Sequence, residues 1–282
     1  RIPIGNLEPR NKVAIIFRRA LEAEKLGLYD EAWTALIQAN SMKIQLEMSG
    51  KHVGGALYLH RLFYAYLRSA RQAYSSTHAR SLILNTSTHF SGKICEKEGH
   101  DTVIPLFILG LERTGSSLLE QMLSQHGDIY AAGETHHFDN KVAPDVNCID
   151  HSLINCSMSF SNEALYLDRL RQSYLEAMED TYLKQQHKHS NPNGTSPIPN
   201  GAKPFYKFKY VVDKLPQNWR HIPYIRMVFP CAKIILCVRS LLDVAVSNLF
   251  TDYKLPFMYW THSLETIAYH LREYQDTISL WE

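Results

Sequence analysis

An apolar run from Val103 to Leu109 ends in Gly110-Leu111-Glu112-Arg113-Thr114-Gly115-Ser116-Ser117 and passes into a helical pattern from Ser116 to His126. This is a GxxxxG frame between a strand and a helix, the frame of a phosphate-binding loop. In such a turn backbone N–H groups converge, and the first helical amides have no intrahelical partner. Together they form an anion cradle. Ser116 and Ser117 add hydroxyls, and Arg113 adds positive charge from inside the loop. The lysine of nucleoside triphosphate loops is missing, because Ser116 stands in its place.

The same strand–loop–helix order recurs downstream. Phe208–Val212 reads as a strand and Gln217–Phe229 as a helix. Lys233–Val238 reads as a strand apolar enough to need cover on both faces, and Leu241–Asp252 as a helix. Strands of buried type that alternate with helices predict an α/β domain with a mainly parallel sheet, over residues 101–282. An anion site that uses arginine and no metal fits sulfuryl transfer better than phosphoryl transfer.

Residues 1–80 have a different character. Val13, Ile16, Phe17, Ala20 and Leu21 recur at helical spacing, Gly27 breaks the run, and Asp30 is placed to cap a second helix carrying Ala32, Trp33, Leu36 and Ala39. Ala20, Gly27, Tyr29, Ala32, Leu36 and Ala39 over residues 12–43 resemble a tetratricopeptide repeat. A lone repeat cannot bury its own face, so it must stack on a neighbour or on the α/β domain, or serve a protein partner. A further amphipathic helix is expected over residues 53–77. Residues 185–203 are rich in Asn, Pro, Gly and Ser and read as a flexible insertion, with His187 and His189 as solvated histidines.

Composition narrows the partners. Of 282 residues, 45% are hydrophobic and 21% charged, an ordinary globular mixture. The net charge of +2 gives no global field toward nucleic acid, so an anionic ligand needs a local site. Cys95, Cys148, Cys156, Cys231 and Cys237 lack zinc spacing and read as thiols; Cys148 and Cys156 could pair if the chain were secreted, but nothing requires it. No metal site is expected, and no run suits a membrane span. Sequons at Asn85, Asn155 and Asn193 carry little weight.

The loop with its flanks, Leu109 to Leu123, closely resembles the 5′-phosphosulfate loop of sulfotransferases that use 3′-phosphoadenosine 5′-phosphosulfate (PAPS). The nearest forms are the tetratricopeptide-containing type and the related tyrosylprotein sulfotransferases. Glu112, Thr114 and Ser116 depart from the usual Pro, Ser and Thr; the last two keep hydroxyls, whereas Glu112 sets a carboxylate beside an anion site. The resemblance implies that Arg113, Thr114, Gly115, Ser116 and Ser117 bind the 5′-phosphosulfate. Ala132-Gly133-Glu134 resembles the segment with the catalytic base, which makes Glu134 the group that deprotonates the acceptor. Asp213-Lys214-Leu215-Pro216 resembles the segment whose lysine reaches the leaving phosphate. Phe229 to Ser247 is similar to the 3′-phosphate segment, with Arg239 at the end of a strand and Ser247 eight residues on as ligands.

The resemblance covers most of residues 12–43, 104–140 and 208–282. Residues 141–207 match poorly and are expected to carry the acceptor site, and the family pattern implies further chain at both ends. Two other readings stay open: a non-catalytic scaffold, favoured by Glu112, and a P-loop kinase, disfavoured by the missing lysine. The acceptor is open among peptide, glycan and small molecule, and the compartment between cytoplasm and Golgi lumen.

Overall fold

The computed structural model describes residues 7–49, 64–65, 67–68, 71–72, 103–143, 160–189, 204–254 and 256–281. The sequons, most of the expected helix 53–77, and Cys95, Cys148 and Cys156 lie outside these residues. The chain divides into two compact units. One comprises residues 1–71, 239–280 and 282; the other comprises 72–238 and 281.

In the first unit, α1 (Pro9–Lys25) and α2 (Tyr29–Ser49) form a helical hairpin around Gly27. Ala20, Ala32 and Ala39 are buried, as close helix approach requires. Asp30 does not cap α2, which starts one residue earlier; it lies in the first turn, where a carboxylate suits the helix dipole. The hairpin is joined to the segment that follows residue 239. Asn40 Nδ2 donates to the Leu249 carbonyl at 3.2 Å. The Lys43 ammonium donates to the Tyr253 carbonyl and sits 3.4 Å from the Asp252 carboxylate.

The second unit holds a four-stranded sheet in the order β2-β3-β1-β4, parallel throughout. Its strands are β1 (Ile104–Gly110), β2 (Ile129–Ala131), β3 (Tyr210–Asp213) and β4 (Lys233–Cys237). Among the described residues the α-helices of this unit are α3 (Ser116–Leu123), α4 (Phe160–His189) and α5 (Ile222–Val228). After β4 the chain enters the first unit with α6 (Leu241–Leu249) and α7 (Leu264–Trp281).

Central strand β1 explains why the run is apolar without alternation. Leu106 and Ile108 pack with Val212, Leu119 and Leu123 on one face. Phe107 meets Phe138, Tyr174 and Phe229 on the other. Burying each such side chain stabilises the fold by roughly 1.5–3 kcal/mol.

Four expectations need correction. Strand β4 is not covered on both faces: it forms the sheet edge, its residues are half-buried or exposed, and Val238 beyond it is exposed. The helix expected over Gln217–Phe229 is split into a 3₁₀ segment, Pro216–His221, and α5, because Pro223 has no N–H to continue one ladder. Residues 185–189 are the last part of α4 and not a flexible insertion; residues 190–203 lie outside the described residues. Cys231 is not a thiol but part of a disulfide, whereas Cys237 is free.

Candidate active site

The carboxyl ends of parallel strands are where open α/β sheets place ligands. Strand β1 ends at Gly110, where a Cβ would stand 2.5 Å from the Cys237 carbonyl oxygen of β4. Only glycine fits that approach. Leu111 to Gly115 then form the loop, and Arg113 is held at φ 70°, the left-handed region that non-glycine residues avoid. Such strain, of order 1 kcal/mol, gathers at functional loops. The Thr114 hydroxyl donates to the Leu111 carbonyl at 2.7 Å, so Thr114 shapes the turn. Ser116 is buried at the start of α3, while Arg113 and Ser117 are exposed.

Glu112 has a partner of its own. Its side chain hydrogen bonds with Gln217, on the 3₁₀ segment after Lys214. Burial raises its carboxyl above the ordinary range, which favours the neutral acid and softens its repulsion of an anion.

The ends of β2 and β3 bring the two expected catalytic residues together. The Ala132 N–H donates to the Val212 carbonyl at 3.0 Å, and the Lys214 N–H donates to the Gly133 carbonyl at 3.1 Å. Strand pairing therefore continues past both strands and fixes Gly133 against Lys214. The Lys214 ammonium donates to Glu134 Oε1 at 2.6 Å. Its side chain is only 6% exposed, against 57% for Glu134. The carboxylate thus opens to solvent while the cation is enclosed.

A second carboxylate completes this arrangement. Glu120 on α3 accepts the Gly133 N–H at 2.9 Å through Oε1. Its Oε2 lies 3.7 Å from the Lys214 ammonium. Burial raises the Glu120 carboxyl, opposed by the charge of Lys214 and the Gly133 bond. Behind Lys214, Asp213 is fully buried and accepts a 2.8 Å bond from the Tyr174 hydroxyl. Burial pushes its carboxyl up to about 7.

A brace backs both strand ends. Arg220 Nη2 donates to both Asp139 oxygens, at 2.7 and 2.8 Å, and His221 Nε2 lies 2.8 Å from Asp139 Oδ1. Burial works against the Asp139 charge, but His221 and Arg220 hold its carboxyl well below the usual range. Burial pushes the His221 imidazole down to about 4. Asp139 belongs to the π-helical turn Phe138–Val142 that follows Glu134, and Arg220 to the 3₁₀ segment that follows Lys214. The brace therefore joins the two segments that continue from Glu134 and Lys214.

Arg239 and Ser247 belong to the other unit. Arg239 precedes α6, with Nε 3.6 Å from Asp243, and both side chains are about half exposed. Ser247 lies on α6 and is half-buried. Glu120, Asp139, Arg220 and His221 carry no sequence motif. Glu120 alone leaves a trace, since it lies one helical turn after Ser116. Among the described residues no cluster of His, Cys, Asp and Glu could hold a metal, and no helix is long and apolar enough to cross a membrane.

The sequence model of the sulfotransferase family matches residues 105–282, more than half of the chain. The chain belongs to the sulfotransferase family. Its match begins at β1 and takes in the loop, Glu134, Lys214, Arg239 and Ser247. An uncharacterized protein of Aquifex aeolicus (strain VF5) is 26% identical over 283 aligned residues, which cover 97% of this chain. This sulfotransferase-family chain spans 31% of that relative's length.

Proposed function

We propose that the chain transfers a sulfuryl group from PAPS to an acceptor hydroxyl or amine by in-line displacement. The observation that carries this reading is the 2.6 Å contact of Lys214 with Glu134, beside the loop that closes β1. A solvent-facing carboxylate and an enclosed cation are the two groups that such a displacement needs.

Arg113, Gly115, Ser116 and Ser117 hold the 5′-phosphosulfate with guanidinium, amides and hydroxyls, and Thr114 keeps the loop in shape. Arg239 and Ser247 are the ligands for the 3′-phosphate. The acceptor attacks sulfur, the bond from sulfur to the bridging oxygen breaks, and 3′-phosphoadenosine 5′-phosphate leaves. Glu134 takes the acceptor's proton. Lys214 stabilises the negative charge that grows on the departing phosphate. No step needs a metal or nucleic acid. The α1–α2 hairpin reads as a tetratricopeptide-like unit, with the exposed Leu26, Tyr29 and Trp33 as a face for a protein partner.

The test is calorimetric binding of 3′-phosphoadenosine 5′-phosphate, with ATP as control. Selective binding that Arg239→Ala weakens supports the reading. Absence of binding by the folded protein overturns it.

A further inference from the structure

We infer that Glu120 is a positioning residue, a second anchor that keeps Lys214 and the Gly133–Glu134 corner in place while Glu134 changes charge. The inference deepens the proposed function and rests on its assignment of Glu134 as base. Glu120 grips both sides of the pair: Oε1 accepts the Gly133 N–H at 2.9 Å and Oε2 lies 3.7 Å from the Lys214 ammonium. Its side chain is 12% exposed, against 57% for Glu134. One carboxylate faces the acceptor and the other faces inward, so the two divide the work.

The need for such an anchor follows from charge. When Glu134 takes a proton it becomes neutral and loses most of its attraction for Lys214. A buried ammonium left without an anion is costly, and it would drift toward water or lose its own proton. Glu120 stays beside it throughout. Lys214 can then leave Glu134 for the departing phosphate without losing its last partner. Helix α3 begins at the phosphate loop, so the anchor also ties the cation to the cradle.

Acetic anhydride labelling of Lys214, read by mass spectrometry, tests this without any turnover. A nearby carboxylate keeps an amine charged, and only the neutral amine is acetylated. Lys184, exposed and paired with Asp180, serves as internal reference. Glu120→Gln keeps an acceptor for Gly133 but removes the charge, and alone should leave Lys214 slow, because Glu134 remains at 2.6 Å. Glu134→Gln, which stands in for the protonated base, should also leave Lys214 slow, because Glu120 remains; the double variant should label severalfold faster than either. Equal labelling in Glu134→Gln and the double variant, or full reactivity in Glu134→Gln alone, overturns the inference.

Turnover with PAPS supplies a second readout. Glu120→Gln should lower kcat with KM for PAPS unchanged, and should cost nothing further in a Lys214→Ala background. Independent, multiplying losses would overturn the anchor. If the wild-type protein binds no 3′-phosphoadenosine 5′-phosphate, the proposed function fails, and the labelling pattern still decides whether Glu120 anchors Lys214.

Discussion

Lys214 and Arg239 both follow the end of a parallel strand, yet their surroundings are opposite. Lys214 is enclosed, with Glu134 at 2.6 Å and Glu120 at 3.7 Å. The Arg239 side chain is 46% exposed and has Asp243 at 3.6 Å. A cation fixed in a water-poor site needs no rearrangement when charge develops beside it, which suits a transition state. An exposed guanidinium can exchange a solvent-screened carboxylate, a contact worth about 0–1 kcal/mol, for a phosphate. Under the proposed function, the difference separates a residue for rate from a residue for affinity.

Mutations can break that separation. The largest effect is expected for Glu134→Ala, whose kcat should fall about 10²–10⁴-fold with nucleotide affinity retained. Lys214→Met should lower kcat about 10²–10³-fold, again with little change in the dissociation constant by calorimetry. Arg239→Ala should do the reverse, weakening 3′-phosphoadenosine 5′-phosphate about 10- to 100-fold while kcat at saturation holds. If Arg239→Ala lowered kcat at saturating nucleotide as strongly as Lys214→Met, the contrast would collapse.

Smaller effects sharpen it. Asp213 lies behind Lys214, and burial lifts its carboxyl from 3.8 to about 7. The native state therefore resists ionisation, and the cost of burying this carboxyl grows as pH rises through that window. Asp213→Asn keeps an acceptor for Tyr174 and cannot ionise. Its gain in unfolding free energy should be larger at pH 8 than at pH 5, by about 1.4 kcal/mol for each pH unit within the window. Equal gains in urea titrations at the two pH values would contradict a raised Asp213. Last, Asp243→Ala should tighten nucleotide binding by up to about fivefold, since it removes a competing carboxylate from Arg239.

Local patterns made much of this legible in the sequence. The run into Gly110, the loop and the start of α3 follow from apolar content and glycine placement, and the parallel sheet follows from strand–helix alternation. Helix α4 was missed although its period stands in the sequence: Leu167, Leu170, Tyr174, Met178 and Tyr182 are buried and recur every three or four residues. Its polar surface and the Asn/Pro-rich run beyond it conceal that period. Strand β4 misleads for another reason, because an apolar run does not say whether a strand lies at the centre or the edge of a sheet. Glu120 and Lys214 are 94 residues apart, and only the pairing of β3 with β1 and β2 brings them together. Tertiary contacts of this kind leave no spacing to read. The split at Pro223 could have been read, since proline lacks the N–H that a continuous helix needs there.

The bonds from Asn40 and Lys43 to the stretch Leu249–Tyr253 have a consequence for modularity. A repeat that serves only as an adaptor can be trimmed or grafted elsewhere. This hairpin is instead a piece of masonry: cutting it away would take the Asn40 and Lys43 donors from two carbonyls, and one of the two cations from Asp252, at the end of the helix that bears Ser247. Recombination that exchanges the first fifty or so residues would therefore have to carry residues 249–253 along, and the two segments should be inherited as one.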